Sequence, residues 1–143
     1  MQGKVLQLFI THDNTAKTRE KKEKIELDTD GIIGDKFYAK DLNRAILITS
    51  KDSYILAQEN GIDISEGILG ENILVDINPY HLLPGERFFI GNTEMEITQN
   101  CTLCKGLTSV NSKLPKLLKN DRGIFAKAIN GSSTIVIGDS VKI

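Results

Sequence analysis

Short apolar runs separated by turn residues dominate this chain. Val5, Leu6 and Leu8-Phe9-Ile10 predict a first strand over Lys4 to Thr11, and His12-Asp13-Asn14 ends it. Thr15 to Lys24 is dense in Lys, Arg and Glu and reads as a solvated loop or short exposed helix. Ile25-Glu26-Leu27 alternates like a second strand. Gly31 and Gly34 bracket Ile32-Ile33, which points to a tight backbone excursion rather than a strand centre. Arg44 to Thr49 contains Ala45-Ile46-Leu47-Ile48, apolar throughout, as expected of a strand buried on both faces. Ser50 is a good N-cap for a helix over Lys51 to Asn60, with Tyr54, Ile55 and Ala57 inward and Gly61 as the left-handed C-terminal residue.

The second half repeats the pattern. Gly67, Gly70, Glu71 and Asn72 form a loop cluster before a strand at Ile73-Leu74-Val75. Pro84-Gly85-Glu86 turns into Arg87 to Ile90, Gly91-Asn92 turns again, and Glu94 to Thr98 alternates with one wet face. Asn111 or Ser112 caps a short helix through Lys119, with Leu114, Leu117 and Leu118 on one side. Gly123 to Ala128 and Ser133 to Ile137 read as long strands joined by the hairpin dipeptide Asn130-Gly131, and Gly138-Asp139 turns into a final segment, Val141 to Ile143. Strands and helices do not alternate, so the expected fold is mainly β (β-rich α+β): a barrel-like, mostly antiparallel sheet with two or three short helices at its rim.

At 143 residues, with 40% apolar and 26% charged positions, the chain is expected to form one domain, 1–143, without a disulfide framework. Eighteen basic residues against nineteen acidic ones leave no basic footprint for nucleic acid. The start of the chain does not read as a signal peptide and no apolar run is long enough for a bilayer, so a cytoplasmic protein with reduced thiols and no membrane partner is expected.

Cys101-x-x-Cys104 is the first chemical candidate. It is half of a zinc site at most, because only His12 and His81 remain as nitrogen ligands and neither has metal-ligand spacing; no zinc is expected. The pair follows a strand, but Lys105-Gly106-Leu107-Thr108 is a poor helix start for a thioredoxin-type redox motif. Two small buried hydrophobes and a reactive thiol, favoured as thiolate by Lys105, both fit the residues. Gly31-x-x-Gly34-Asp35 and Gly67-x-x-Gly70-Glu71-Asn72 carry more glycine than one turn needs and can set backbone amides around an anion, though neither is a Walker or dinucleotide loop. Arg122, in Asn120-Asp121-Arg122-Gly123, either faces solvent or meets an anion with its guanidinium fork.

Taken in order, these pieces resemble the MOSC domain, the C-terminal module of molybdenum-cofactor sulfurases. The resemblance rests on Gly31-x-x-Gly34-Asp35, Arg44-Ala-Ile-Leu-Ile, Gly67-x-x-Gly70-Glu71-Asn72-Ile73, Leu83-x-Gly85-Glu86-x-Phe88-x-Ile90-Gly91, Glu96-Ile-Thr-Gln99 with Cys104 five positions on, Arg122-Gly123-Ile-Phe-Ala, and Gly138-Asp139-x-Val141. It runs from about Ile25 to Val141 and suggests a stand-alone MOSC protein. It implies a barrel of the pyruvate-kinase β-barrel type and a molybdopterin-type cofactor. Cys104 would ligate molybdenum or carry sulfur as a persulfide. Gly34, Asp35, Glu71, Asn72, Arg122 and Gly123 would line one pocket, with Arg122 the phosphate partner. An enzymatic role would be a molybdenum-cofactor-dependent reductase or a sulfurtransferase, and the implied partners are a cysteine desulfurase or a redox protein. The chain departs from the family's usual pattern at Lys36-Phe37, where many relatives carry histidine, at Leu103, where proline is common, and at the extra thiol Cys101, which would resolve an oxidised Cys104. The rival expectation is a non-catalytic module that binds a small anion or a protein on the same barrel.

Overall fold

The computed structural model describes residues 1–12, 19–101 and 110–143. Its strands are β1 (Gln2–Thr11), β2 (Arg19–Lys22), β3 (Lys24–Asp28), β4 (Gly31–Ile32), β5 (Ile46–Ser50), β6 (Ile73–Val75), β7 (Arg87–Ile90), β8 (Thr93–Asn100), β9 (Ile124–Ala128), β10 (Ser133–Val136) and β11 (Ser140–Lys142). The helices among the described residues are α1 (Lys51–Glu59) and α2 (Leu114–Leu117).

β1 is the hub of the fold. Its first residues pair with β11, its middle with β6 and its last four with β2. The order β11-β7-β8-β9-β5-β6-β1 therefore closes on itself through β1–β11 into a seven-stranded barrel, with β2 added along the end of β1. Closure removes the sheet edges that would otherwise invite association. All these pairs are antiparallel except β5–β6, which are parallel and are connected through α1. β10, β3 and β4 form a second sheet, and its Ile25, Leu27, Ile32 and Ile135 share one apolar core with Ile46, Ile48, Ile73, Met95, Ile97 and Ile124 of the barrel. The mainly β, barrel-like expectation holds.

Ser50 caps α1 by accepting the Asp52 amide at 3.1 Å, and Gly61 follows with φ +76°. The helices pack outside the barrel on a separate cluster of Ala57, Ile62, Leu69, Leu114 and Leu118. Three local expectations need correction. Ile55 faces outward, 42% exposed, while Ser53 takes the buried position beside Ala57. Arg19 to Lys22 is a strand rather than a solvated loop or helix, because β1 offers it an open edge. Asn130-Gly131 does not join a hairpin: both edges of β9 are taken, by β8 and β5, so β10 pairs with β3 instead. No helix among the described residues is long and apolar enough to cross a membrane.

Candidate functional site

The site is built on the outer wall of the barrel. Ile46 and Ile48 point into the barrel core, so the pleat turns Leu47 outward, where it packs with Cys101 and Phe125. Cys101 directly follows β8, and its amide donates to the Gly123 carbonyl at 3.0 Å. Thr49 Oγ1 donates to the Arg122 carbonyl at 2.9 Å. Gly123 lies hard against β5: a Cβ there would sit 2.9 Å from the Ile48 carbonyl oxygen and 3.0 Å from Thr49 Oγ1, closer than real side chains approach. The Arg122-Gly123 pair thus delivers Arg122 to the β5 wall, with glycine required for the approach.

The first glycine loop meets the second through side chains. Asp35 is buried, and its Oδ1 accepts the Thr11 amide at 2.8 Å while Oδ2 accepts the Phe37 amide at 3.1 Å. Asn72, also buried, donates from Nδ2 to the Phe9 carbonyl at 3.2 Å and to Asp35 Oδ1 at 3.4 Å. Its Oδ1 accepts the Leu47 amide at 3.0 Å. These two residues hold the Gly34 turn, the end of β1, the wall strand β5 and the Gly70 loop in one register.

Glu71 is fully buried. Its Oε2 accepts from the Tyr54 hydroxyl at 2.6 Å and from the Gly67 amide at 3.2 Å, while Oε1 has no hydrogen-bond partner among the described residues. The Tyr54 hydroxyl in turn accepts the Gly67 and Leu69 amides at 2.9 and 3.3 Å. Burial pushes the Glu71 carboxyl above its ordinary range, against the opposing pull of Tyr54, Gly67 and the Arg19 charge. Burial likewise raises the Tyr54 phenol, reinforced by the Glu71 charge. Arg19 braces the same loop from β2, donating to Thr11 Oγ1 at 3.0 Å, to the Gly70 carbonyl at 3.1 Å and to the Glu71 carbonyl. Burial lowers its guanidinium below the usual arginine value, opposed first by Glu71.

Arg122 approaches that loop from the other side. It is 8% exposed, and it donates from Nη2 to the Leu69 carbonyl at 3.0 Å and from Nη1 to Cys101 Sγ at 2.8 Å. Arg44 lies over the Phe125 ring, 5.4 Å from guanidinium to centroid, on the apolar patch that holds Cys101.

Asp35, Glu71, Asn72, Arg122, Gly123 and Cys101 are therefore linked through one set of loops around β5. Gly34 shapes its turn with φ +90° and has open space where a Cβ would stand. Cys104 and Lys105 lie outside the described residues. Sequence reasoning missed Tyr54 and Arg19 as site-builders. Tyr54 stands at a core-facing helix position, and Arg19 lies in a charge run whose one clue is that it follows a strand and turn. Among the described residues no group of three potential metal ligands converges.

A closed β-barrel with a buried arginine–cysteine contact under two glycine-rich loops is the class of protein this fold and site define. The MOSC domain family model matches residues 28–142, and the chain belongs to that family, which is associated with molybdenum-cofactor binding. No curated protein matches the chain. Among solved structures, the YuaD protein from Bacillus subtilis is similar at 19% identity over 99% of this chain and 94% of its own, with a TM-score of 0.83. YiiM from Escherichia coli aligns at 17% identity over 99% of this chain and 69% of its own, with a TM-score of 0.69. YiiM from Geobacillus stearothermophilus aligns at 14% identity over 98% and 72%, with a TM-score of 0.67. At these identities the likeness is one of fold.

A phosphorylated pterin asks a protein for cations to meet its phosphate and acceptors to meet its ring N–H groups. The described residues fit that demand. Arg44 stands on the Cys101 patch, Lys21 borders a depression of about 260 Å3 beside Phe9 and Gly67, and the buried Glu71 Oε1 has no hydrogen-bond donor among the described residues.

Proposed function

We propose that this MOSC domain binds a molybdopterin-type cofactor at the outer β5 wall and works through Cys104, as a cofactor-binding or sulfur-carrier protein. The observation that supports the reading most directly is the 2.8 Å contact from Arg122 to Cys101 Sγ, three positions before Cys104; Leu47, which packs on Cys101, donates its amide to Asn72 and so ties this contact to the Asp35–Asn72 linkage. Asp35, Asn72, Glu71 and Tyr54 hold the two glycine loops rigid, and Arg122 anchors the second loop to the cysteine segment. The cofactor, when bound, supplies a metal that a thiolate can ligate. In the sulfur-carrier form, the Cys104 thiolate attacks the outer sulfur of a cysteine desulfurase persulfide; a new S–S bond forms on Cys104 and the desulfurase thiolate leaves. Cys101, buried and held by Arg122, would be the accessory thiol of this segment.

The test is to produce the chain in a cofactor-synthesising host and measure retained pterin by fluorescence and metal by mass spectrometry. Wild type should retain pterin and Cys104→Ser should lose it. Binding indifferent to Cys104 would point instead to the module that holds a small anion without thiol chemistry. After incubation with a desulfurase, the Cys104 peptide should gain the mass of one sulfur, and its absence on a thiol that reacts with alkylating reagent would count against the carrier form.

A further inference from the structure

We infer that Arg44 is the residue that holds the phosphate of the bound ligand, a role that the family resemblance implies for Arg122. The inference rests on the cofactor reading above and concerns which side chain of this chain meets the anion.

The chain has four arginines. Arg19 spends both Nη atoms on Thr11, Gly70 and Glu71. Arg87 pairs with Glu94 and Glu96 on the β7–β8 face. Arg122 is buried and donates to Leu69 and Cys101, so swinging out to an anion would break the anchor of the second glycine loop. Arg44 differs from all three. It is exposed, and its guanidinium has no hydrogen bond or ion pair among the described residues.

Its position is nonetheless defined. The Arg44 amide donates to the Asp41 carbonyl at 3.0 Å, and the Asn43 amide to Asp41 Oδ1 at 3.0 Å, so the carboxylate nearest in sequence is occupied within its own turn. Thr98 of β8 donates to the Asn43 carbonyl at 2.6 Å and pins that turn to the barrel. The guanidinium carbon lies 5.4 Å from the centroid of the Phe125 ring, whose packing partners are Cys101 and Leu47. The ring contact leaves the guanidinium N–H groups of Arg44 without a protein acceptor among the described residues, and a planar fork of this kind suits bidentate recognition of phosphate. The ligand class is a phosphate monoester attached to a flat heterocycle, with the phosphate at Arg44 and the rest extending toward Cys101.

The experiment titrates the folded protein with the oxidised, fluorescent pterin phosphate released from a molybdoenzyme, and with the same compound after phosphatase treatment. Wild type should bind the phosphorylated form about tenfold more tightly, the scale of one charge-assisted contact. Arg44→Gln should bring both compounds to the weaker affinity while leaving the urea midpoint unchanged. As a measurement on wild type alone, inorganic phosphate should compete with the phosphorylated compound and not with the other. Wild type binding both compounds equally, or Arg44→Gln keeping the preference, overturns the inference and leaves the cofactor reading standing. Wild type binding neither compound overturns that reading and this inference with it.

Discussion

Asn72→Asp is the sharpest test of how the two glycine loops are joined. The substitution is nearly isosteric and keeps the oxygen that accepts the Leu47 amide. It replaces the amide donor facing Asp35 Oδ1 and the Phe9 carbonyl, at 3.4 and 3.2 Å, with a second carboxylate oxygen. Both residues are buried, at 4% and 5% exposure, so water does little to screen the new pair. Two unit charges at 3.4 Å repel by about 5 kcal/mol at an effective dielectric near 20. The pair can escape by taking one proton, and for a carboxyl of ordinary aspartate strength that costs about 4 kcal/mol at pH 7 and about 1.5 kcal/mol at pH 5. The smaller escape route governs, so the expected destabilisation is about 4 kcal/mol at pH 7 and roughly half or less of that at pH 5. Against a total stability of about 5–15 kcal/mol for a domain, the loss at pH 7 is large. Urea unfolding followed by far-UV circular dichroism at the two pH values reads it. Adding Asp35→Asn removes the second carboxylate, and the pH dependence should go with it. A loss below about 1 kcal/mol at pH 7, or an equal loss at both pH values, would refute the linkage.

Three further outcomes follow from the same geometry. The folded state holds the Glu71 proton more tightly than the unfolded chain, so its stabilising contribution is complete below the ordinary value of 4.5 and is lost as pH rises through the raised folded value. Urea midpoints from pH 4 to 8 should fall along that window in wild type and stay flatter in Glu71→Gln; parallel profiles would contradict the assignment. Gly123→Ala should destabilise by about 1–3 kcal/mol, because the new methyl meets the Ile48 carbonyl and the β5 wall has no room to give, and an unchanged midpoint would show otherwise. Cys101, 4% exposed, should resist iodoacetamide until the protein is unfolded, as read by peptide mass spectrometry with and without urea; rapid native labelling would contradict its burial.

Much of the fold was legible because it is local. The apolar run Ala45–Ile48, the alternation of Glu94 to Thr98 and the Ser50 cap each describe a backbone state and a buried face within a few residues. The site was legible only as a set of loops. Asp35, Asn72 and Arg122 were expected to present themselves to a ligand, whereas the described hydrogen bonds of Asp35 and Asn72 run to Thr11, Phe37, Phe9, Leu47 and each other. Arg122 similarly reaches Leu69 and Cys101, 53 and 21 positions away. Buried polar groups seek partners in space, and nothing in residue type or spacing says which distant carbonyl or amide will arrive. Arg19 illustrates the converse: a charged segment with no apolar signal became a strand because β1 had an edge to offer.

The sequence by itself determined most of the short strands, the turns that demand glycine and the helix cap, because these depend on side-chain periodicity and backbone freedom; the order of its motifs added the resemblance to the family. Tertiary structure decided the rest. It closed the barrel through β1 and β11, denied β9 its hairpin partner by filling both its edges, and turned Leu47, Cys101 and Phe125 to the outside of the wall. Among the described residues it also separated the arginines into three committed to partners within the chain and one, Arg44, whose guanidinium meets only an aromatic face. Edge occupancy and buried hydrogen bonding are properties of the assembled chain, since each depends on segments that only folding brings together.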